Sequence, residues 1–406
     1  MRRLWYSPTL RSAVIYGASG LGFAGANLIL ARVLPTSEYA LFTLFTALVN
    51  LSHALAPIGV DGIVQRRHLE AGPTLLKRTL AAGVLIGLLT TLVGGFAYHL
   101  SPVFLIFAFV ATVGGGAMSV AGAQLQSEQR YGISLALTQS PNLVLIVAAL
   151  AVLVAGLTQA QLPVIVSSLG FALAGATGWW ILFRERASKP ARETWFPWTE
   201  AFSVAGMNAA GLVLVQLDRL IIPHVLPLRD LATFGVLAAI AGSLFRVLSM
   251  GVGYTMVPRL RAAGSVRERR RLIAHEAKLI GAVVVVGSLA IWFLTPLIER
   301  SLLAGKYHLG GALLVATIFS GVAKIMNSFT KSTVTALATE REVSVVNLLG
   351  WVSVGVAIAA AVVGARWGLA GVIYGVGFGW LVRALSASFL ILRHLKLPAP
   401  IPVTSP

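Results

Sequence analysis

The chain has 406 residues, of which 57% are hydrophobic and only 11% are charged, and its mean hydropathy is +0.84. Soluble domains are about 45–50% apolar and about 25% charged, so a water-soluble fold would have too few polar residues to cover its surface. The formal charge of +18 comes from 32 Lys and Arg against 14 Asp and Glu. These cations lie in short segments between apolar stretches and form no single basic surface, which argues against a nucleic-acid partner.

The apolar stretches predict an all-α integral membrane protein of about twelve transmembrane helices. Each stretch is about twenty residues or more, the length a helix needs to cross a hydrocarbon core of ~30 Å. The basic N-terminus leads directly into the first of them, which indicates an uncleaved first helix. The predicted spans are about 12–34, 40–60, 79–99, 102–125, 134–156, 161–183, 199–223, 231–257, 279–298, 309–338, 343–364 and 367–391.

The cations between the spans predict the orientation of the chain. Assigning alternate connections to alternate sides places 22 Lys and Arg on one side and five on the other. By the positive-inside rule the 22 face the cytoplasm, so both termini are expected there. The outer five are Arg32, Arg229, Arg300, Lys306 and Arg366. No connection exceeds about 20 residues, so we expect the function to reside in the helical bundle.

Two segments of the chain resemble each other at an offset of 192 residues, which corresponds to six helices. They are ARVLPTSEYALFTL from residue 31 and PHVLPLRDLATFGVL from residue 223. Turns at an outer membrane face can share Pro and an acid without a duplication, but equal orientation favours one. We therefore predict two parallel six-helix repeats around a central cavity, residues 1–190 and 191–406. In transporters of this architecture the substrate path lies between the repeats.

Charged side chains inside the spans are candidates for a substrate site, because burying a charge at the bilayer centre costs at least ~2.5–3.5 kcal/mol. Only one acid, Asp218, is clearly embedded, whereas five cations are: Arg219, Arg246, Lys324, Lys331 and Arg383. Arg246 and Lys324 are predicted midway along their spans, with no embedded acid left for them. A cavity with excess positive charge is suited to an anion, since Arg contacts phosphate oxygens in pairs and Lys supplies a movable charge.

Three of the embedded cations have alternative interpretations. Arg219 can pair with Asp218 or lie in a polar outer mouth, and Lys331 and Arg383 can extend to the inner interface. Lys331 follows Lys324 by seven residues on the same helix face. Asn327 and Ser328 fall between these lysines, so the tenth span is predicted to carry a polar stripe.

Polar residues in the first two spans are weaker candidates. Thr43, Thr46, Asn50 and His53 share one face of the second span. We expect the threonines to form hydrogen bonds between helices, while Asn50 and His53 either do the same or contact substrate. Asn27 aligns with Arg219 under the 192-residue offset. We therefore expect it to lie in the first half at the position on the substrate path that Arg219 has in the second half.

Motifs of nucleotide hydrolysis and metal binding are absent from the sequence. There is no GxxxxGK[ST] phosphate loop, no HExxH motif and no paired His or Cys spacing. GLGFAG at 20–25 lies within a span and follows no strand, so it is not read as a dinucleotide site. We expect no enzymatic activity, no cofactor and no metal.

The chain resembles the polysaccharide-biosynthesis flippases, the oligosaccharide branch of the multidrug/oligosaccharidyl-lipid/polysaccharide exporter superfamily. The matching segments are GASGLGFAGANLILARVLPTSEYA with APIGVDGIVQRR, LVQLDRLIIPHVLPLRDLATFGVLAAIAG, and WGLAGVIYGVGFGWLVRA. Ala40 stands where the family often has Gly. Two helices that lipid II flippases usually add are missing, which makes export of a peptidoglycan precursor the less expected function.

The resemblance implies a flippase for an undecaprenyl-diphosphate-linked oligosaccharide in the bacterial cytoplasmic (inner) membrane, serving O-antigen, capsule or exopolysaccharide assembly. Its partners would be the lipid-linked glycan, the bilayer and a glycan polymerase of the same pathway. The diphosphate would be held by Arg246, Lys324 and Arg219, and sugar hydroxyls by Asn27, Asn50 and His53. One alternative is a cation-coupled multidrug exporter of the same superfamily, for which only Asp218 supplies a buried carboxylate. The other is a membrane-embedded glycan polymerase or ligase, which usually needs a large outer loop, and the outer loops here are short.

Overall fold

The apolar stretches of the sequence form helices, since in hydrocarbon each backbone N–H and C=O must be bonded within the chain. The structure is a computed structural model, and it describes residues 8–67, 69, 71–186, 196–242, 245, 260, 263, 265–337 and 340–396. Over these ranges every regular element is helical. The all-α fold predicted from the sequence is therefore confirmed for the described part of the chain.

Among the described residues, nine helices precede the long basic segment. Proline begins α4 and α5, and Gly156, in the left-handed conformation with φ 62°, caps the end of α6. The nine are α1 Pro8–Val33, α2 Thr36–Leu55, α3 Val60–Arg67, α4 Pro73–Phe96, α5 Pro102–Ser127, α6 Tyr131–Ala155, α7 Gln161–Arg186, α8 Trp198–Val225 and α9 Leu228–Leu237. A π-helical turn, Ala238–Gly242, continues α9.

Four long helices follow: α10 Val266–Ser301, α11 Gly311–Leu337, α12 Glu340–Gly364 and α13 Gly368–Lys396. A 3-10 turn, Ala365–Trp367, joins α12 to α13. α10 begins thirteen residues before the predicted span, where the Ser265 hydroxyl accepts a hydrogen bond from the Glu268 N–H at 3.1 Å. Its 36 residues measure about 54 Å, so its basic first turns extend beyond a hydrocarbon core of ~30 Å.

Eleven of the twelve predicted spans coincide with helices of the described part of the chain, and most of their ends agree within a few residues. Only the first part of the eighth span, 231–257, lies among the described residues. Among the described helices, eight are long and apolar enough to cross a membrane, or nine if the bent pair α2 and α3 is counted as one span. Large apolar side chains cover their outer surface, for example Phe96 at 80% exposure and Phe389 at 72%, which suits contact with lipid and not with water.

The second predicted span is not one straight helix. α2 ends at Leu55 and α3 begins at Val60, with a bend of 41° between them. Ile58 and Gly59 in the break have positive φ angles of 48° and 81°. A Cβ on Gly59 would overlap the backbone oxygen of Ala201, so glycine is required both for the conformation and for contact with α8.

The described chain divides into two packing units, the first comprising Met1–Ala239 with Glu299–His308. Within this unit α5 packs along α7, α1 along α6, and α4 along α5. Glycines in the VGGGAMSVAGA segment allow close approach, because a Cβ on Gly114 would lie 2.5 Å from the Cα of Ala172. The division into halves at residue 190 remains a prediction.

Glu299–His308, between α10 and α11, packs on the end of α1 within the first unit, and we call this segment the outer strap. The Lys306 ammonium donates to the carbonyl oxygens of Ala31, at 2.9 Å, and Leu34. The buried Tyr307 hydroxyl donates to the same Ala31 oxygen at 3.3 Å, and its ring contacts Tyr39 edge-on with centroids 6.3 Å apart. Burial raises the pKa of Tyr307 to about 12, so this hydroxyl keeps its proton at neutral pH. The strap thus satisfies carbonyls that a helix end leaves without partners.

The second unit comprises Ile240–Ile298 and Leu309–Pro406. Within it, α13 packs along both α11 and α12. Small residues make the α12–α13 contact: a Cβ on Gly364 would overlap Gly371 backbone, and a Cβ on Gly379 would overlap the side chain of Ala357. The glycine cluster GLAGVIYGVGFG is therefore explained by close packing of helices.

Candidate substrate-binding residues in the helical spans

The predicted site residues are divided between the two packing units, and each group is described within its own unit. Asn27, Asn50, His53, Asp218 and Arg219 belong to the first unit. Lys324, Asn327, Lys331 and Arg383 belong to the second. Arg246 lies outside the described residues.

The Asp218–Arg219 pair lies in α8, about two turns from the end that joins α9. Both residues are buried, with exposures of 1% and 9%. The Arg219 guanidinium donates to the side-chain oxygen of Gln216 at 3.1 Å, and it interacts electrostatically with the hydroxyl of Tyr39. Arg219 is therefore held by polar groups of its own unit near the predicted outer surface, in agreement with the outer-mouth interpretation.

The polar face of α2 contacts several helices of the first unit. Thr43 packs against Gly235 of α9, and its hydroxyl donates to the Tyr39 carbonyl at 2.9 Å. The His53 ring stacks on Phe171 of α7 with centroids 4.9 Å apart, and its Nδ1 has no hydrogen-bond partner among the described residues. Asn50, between these levels, is half-buried.

Asn27 is buried at 5% exposure, and its side-chain amide donates to the Phe23 carbonyl of its own helix at 2.8 Å. A polar group bonded to its own helix in this way needs no partner from outside. A second polar group of α1, Ser19, lies two turns earlier and donates to the Gln139 side-chain oxygen of α6 at 2.7 Å. The Asn142 amide donates to Ser19 at 2.8 Å and to Gln139 at 3.2 Å.

Gln139 and Asn142 are not among the predicted site residues, although they stand three residues apart in a predicted apolar span. Both are half-buried, while Ser19 is 3% exposed. Two amide side chains on one face of a span are a signal that sequence inspection can detect. Their bonds to α1 fix the contact between these two helices, which is the common structural use of such groups in membranes.

The polar stripe predicted on the tenth span is present on α11 and is longer than predicted. Thr317, Ser320 and Asn327 are buried, at 9%, 3% and 7% exposure. Lys324 is half-buried and Lys331 is exposed. From the start of α11, a rise of 1.5 Å per residue places Lys324 about 20 Å and Lys331 about 30 Å along the helix. Lys331 therefore lies at the end of the span that is predicted to face the cytoplasm, and Lys324 lies inside the span.

Lys331 lies near Arg383 of α13, close enough for the two positive charges to interact. Arg383 is buried at 5% exposure, and its Nη1 has no hydrogen-bond partner among the described residues. Two neighbouring like charges in a low-dielectric region repel each other more strongly than they would in water. The second unit thus places two cations beside each other, at the end of the spans that the sequence predicts to be the inner one.

Phe245, the residue before Arg246 in the chain, packs against the second unit as well. A Cβ on Gly321 of α11 would overlap the Phe245 ring, and Gly321 precedes Lys324 by three residues. Among the described residues, Lys331 therefore lies beside Arg383 of α13, and Lys324 lies on the same helix as Lys331. Asn27, Asn50 and His53 share the first unit without a direct hydrogen bond among them.

Comparisons with known proteins were made at three levels. No family model matches the chain, and no curated protein matches it. Among solved structures, the inward-facing conformation of a multidrug resistance MATE family transporter of the MOP superfamily has a TM-score of 0.64 at 13% identity, covering 95% of this chain and 98% of that chain. The lipid II flippase MurJ in an inward closed conformation has a TM-score of 0.65 at 10% identity, covering 94% and 87%.

A eukaryotic MATE transporter, AtDTX14, is similar as well, with a TM-score of 0.59 at 12% identity over 95% of this chain and 96% of that chain. The TM-scores show a shared fold, and sequence identities this low show no more than that. The described chain has the helical fold of these transporters. The flippase and the drug transporters are matched equally well, so the fold does not distinguish one branch from another.

Proposed function

We propose that the chain is a flippase that moves a polyprenyl-diphosphate-linked oligosaccharide from the inner to the outer leaflet of the bacterial cytoplasmic membrane. Three observations support the proposal. The sequence resembles the oligosaccharide branch, one solved structure of the same fold is a lipid II flippase, and the embedded charge is predominantly positive. Such a carrier would deliver repeat units for O-antigen, capsule or exopolysaccharide, and a glycan polymerase would use them next.

The observation that carries the proposal is the proximity of Lys331 and Arg383 in the second unit. Two neighbouring cations repel each other and both attract an anion, so their proximity favours a site that binds one. A diphosphate supplies two negative charges and several acceptor oxygens, which suit two neighbouring cations. The Nη1 of Arg383, without a partner among the described residues, provides a donor for one of those oxygens.

The remaining predicted residues would form a path for the diphosphate and its sugars. Lys324 lies about two turns from Lys331 on the same helix, so a diphosphate leaving the inner site would next meet Lys324. Arg246 and Arg219 would continue the series, while Asn27, Asn50 and His53 would meet sugar hydroxyls. Because the cell interior is negative, outward movement of the head group is favoured by ~2.3 kcal/mol per charge per 100 mV. Alternate opening of the two halves to either side would complete the cycle.

Replacement of the inner cations tests this proposal in the cell. In the bacterium that carries the gene, deletion should abolish the surface glycan and a plasmid copy should restore it. The Lys331→Gln/Arg383→Gln double variant should display glycan at a rate at least about tenfold lower, because each charge-assisted hydrogen bond contributes ~1.5–3 kcal/mol. Glycan would be measured by lectin staining and protein level by immunoblot.

The matched control is Arg300→Gln, which removes an exposed cation on the predicted outer side. It should restore glycan fully, which separates loss of a site from loss of net charge. Full display by the double variant at an unchanged protein level would contradict the proposal.

A cation-coupled multidrug exporter is the second candidate, because two of the three structures above are MATE transporters and because Asp218 is buried in α8. An exporter of this kind needs an embedded carboxylate that exchanges a proton or cation for the drug. Its test is Asp218→Asn: loss of drug resistance in a susceptible host would favour the exporter, and unchanged resistance together with lost glycan would favour the flippase.

A further inference from the structure

An apolar cavity lies in the second unit, apart from the polar stripe of α11. Its volume is about 580 Å³, within the range of ligand-binding pockets. Four aromatic residues and six small or aliphatic ones form its walls: Phe319, Trp367, Tyr374 and Phe378, with Ala360, Val363, Gly364, Ala370, Gly371 and Gly375. None of these residues belongs to the predicted transport site.

The cavity occupies the depth of one leaflet. It begins at Trp367, in the turn between α12 and α13, and reaches Phe378, about 15 Å along α13 from its first residue. Half of a hydrocarbon core of ~30 Å is also about 15 Å. On α11 the single lining residue, Phe319, lies at a similar distance from the helix start. A chain extending from the interface to the bilayer centre matches this depth.

The inner wall of the cavity is rigid, because it consists of the glycine contact between α12 and α13. A Cβ on Gly371 would overlap Gly364 backbone, and a Cβ on Gly375 would overlap the backbone of Ala361. The two helices therefore cannot move closer together, and no side chain from this contact can fill the space. Two of the aromatic residues are open to the surroundings, since Trp367 is 72% exposed and Phe378 is 48% exposed.

The turn at the mouth of the cavity carries one cation. Arg366 is exposed and directly precedes Trp367. It is one of only five Lys and Arg residues that the sequence places on the outer side. An Arg beside an interfacial Trp is suited to the phosphate of a lipid whose chain lies below it. The single positive charge matches a phosphodiester better than it matches a diphosphate.

We propose that this cavity is a binding site for one acyl chain of an anionic outer-leaflet phospholipid, whose phosphodiester contacts Arg366. The lipid would fill the space beside the glycine contact and hold α11, α12 and α13 together. This role does not depend on the identity of the transported substrate. It depends on the predicted orientation, with Arg366 on the outer side.

The test uses phosphatidylglycerol that carries a photoreactive diazirine midway along one acyl chain. Purified full-length protein in detergent would be irradiated with this lipid, and the modified peptides identified by mass spectrometry. We expect labelling to concentrate in residues 360–378. Arg366→Gln should weaken binding about fivefold, as loss of one interfacial cation predicts. The control Arg300→Gln should leave labelling unchanged.

A second variant fills the cavity while preserving the charge. Val363→Trp places an indole in the lining at a position that is 52% exposed, so folding should be retained. We expect it to abolish labelling of 360–378, whereas Val286→Trp on the lipid-facing surface of α10, 66% exposed, should not. Unlabelled phosphatidylglycerol should compete on the wild-type protein, which needs no variant.

Three results would overturn the proposal. One is labelling spread evenly over the exposed apolar surface. Another is equal labelling by zwitterionic phosphatidylcholine. The third is competition by a polyprenyl diphosphate at lower concentration than phosphatidylglycerol, which would assign the cavity to the polyprenyl lipid.

Discussion

The charged residues of this chain differ in the groups that their side chains contact. Arg219 donates to Gln216 in α8 and Lys306 donates to the end of α1, so both are held by their own unit. Lys331 and Arg383 instead lie beside each other. Sequence reasoning selects Arg219, Lys331 and Arg383 as embedded cations and counts Lys306 only among those of the outer side. It could not rank them, because ranking requires knowing which helices are neighbours.

The outer strap gives a prediction at the scale of single residues. Lys306→Met removes the ammonium that bonds Ala31 and Leu34 and leaves those carbonyls without that donor. A hydrogen bond from a charged group contributes ~1.5–3 kcal/mol, so the melting temperature in detergent should fall by several degrees. Tyr307→Phe, which loses a 3.3 Å bond to the same carbonyl and the interaction of the hydroxyl with Thr36 but no charge, should cause a smaller decrease. Equal melting of Lys306→Met and wild type would show that the strap contributes no stability.

At the scale of elements, local sequence predicts where most helices are, and long-range packing decides their exact form. Pro102 and Gly156 mark helix ends because their backbone preferences act locally. The break in the second span is different. Pro57 and Gly59 permit it, but the contact with Ala201, 142 residues later in the chain, makes glycine necessary there. The early start of α10 is a similar case, since hydropathy detects only the part of a helix that lies in lipid.

Glycine substitutions test the break between α2 and α3. Gly59→Ala should destabilise the protein by more than ~2 kcal/mol, because it forces a side chain into left-handed backbone and against the Ala201 carbonyl. Gly206→Ala in α8, where a Cβ meets nothing within 4 Å, should be neutral or stabilising. Thermal melting monitored by tryptophan fluorescence measures both. A Gly59→Ala protein that melts like Gly206→Ala would mean that the break is not a constrained feature.

At the scale of the whole molecule, composition alone was enough to predict a helical membrane protein, because 57% hydrophobic residues cannot be reconciled with a soluble surface. Hydropathy also predicts the number and order of the helices, whereas their packing is known only from the structure. The candidate site could be predicted only as a set of residues. Arg246 and Lys324 were selected by depth along a span, whereas the proximity of Lys331 and Arg383 depends on how α11 packs against α13.

The predicted orientation can be tested directly, because the chain contains no cysteine. Single cysteines at Arg300 and Arg267, both exposed, would report opposite sides of the membrane. A membrane-impermeant maleimide should label Arg300→Cys in intact cells and Arg267→Cys only after permeabilisation. Labelling in the reverse order would invert the topology and place the proposed phospholipid site in the inner leaflet.

Transport in proteoliposomes tests the central claim most directly. Purified protein would be reconstituted with a short-chain polyprenyl-diphosphate oligosaccharide, and a lectin or glycosidase added outside would detect glycan arriving from the inner leaflet. The proposal predicts movement faster than in protein-free vesicles and at least about tenfold slower with Lys331→Gln/Arg383→Gln. Movement no faster than in protein-free vesicles, or equal movement by the double variant, would contradict it.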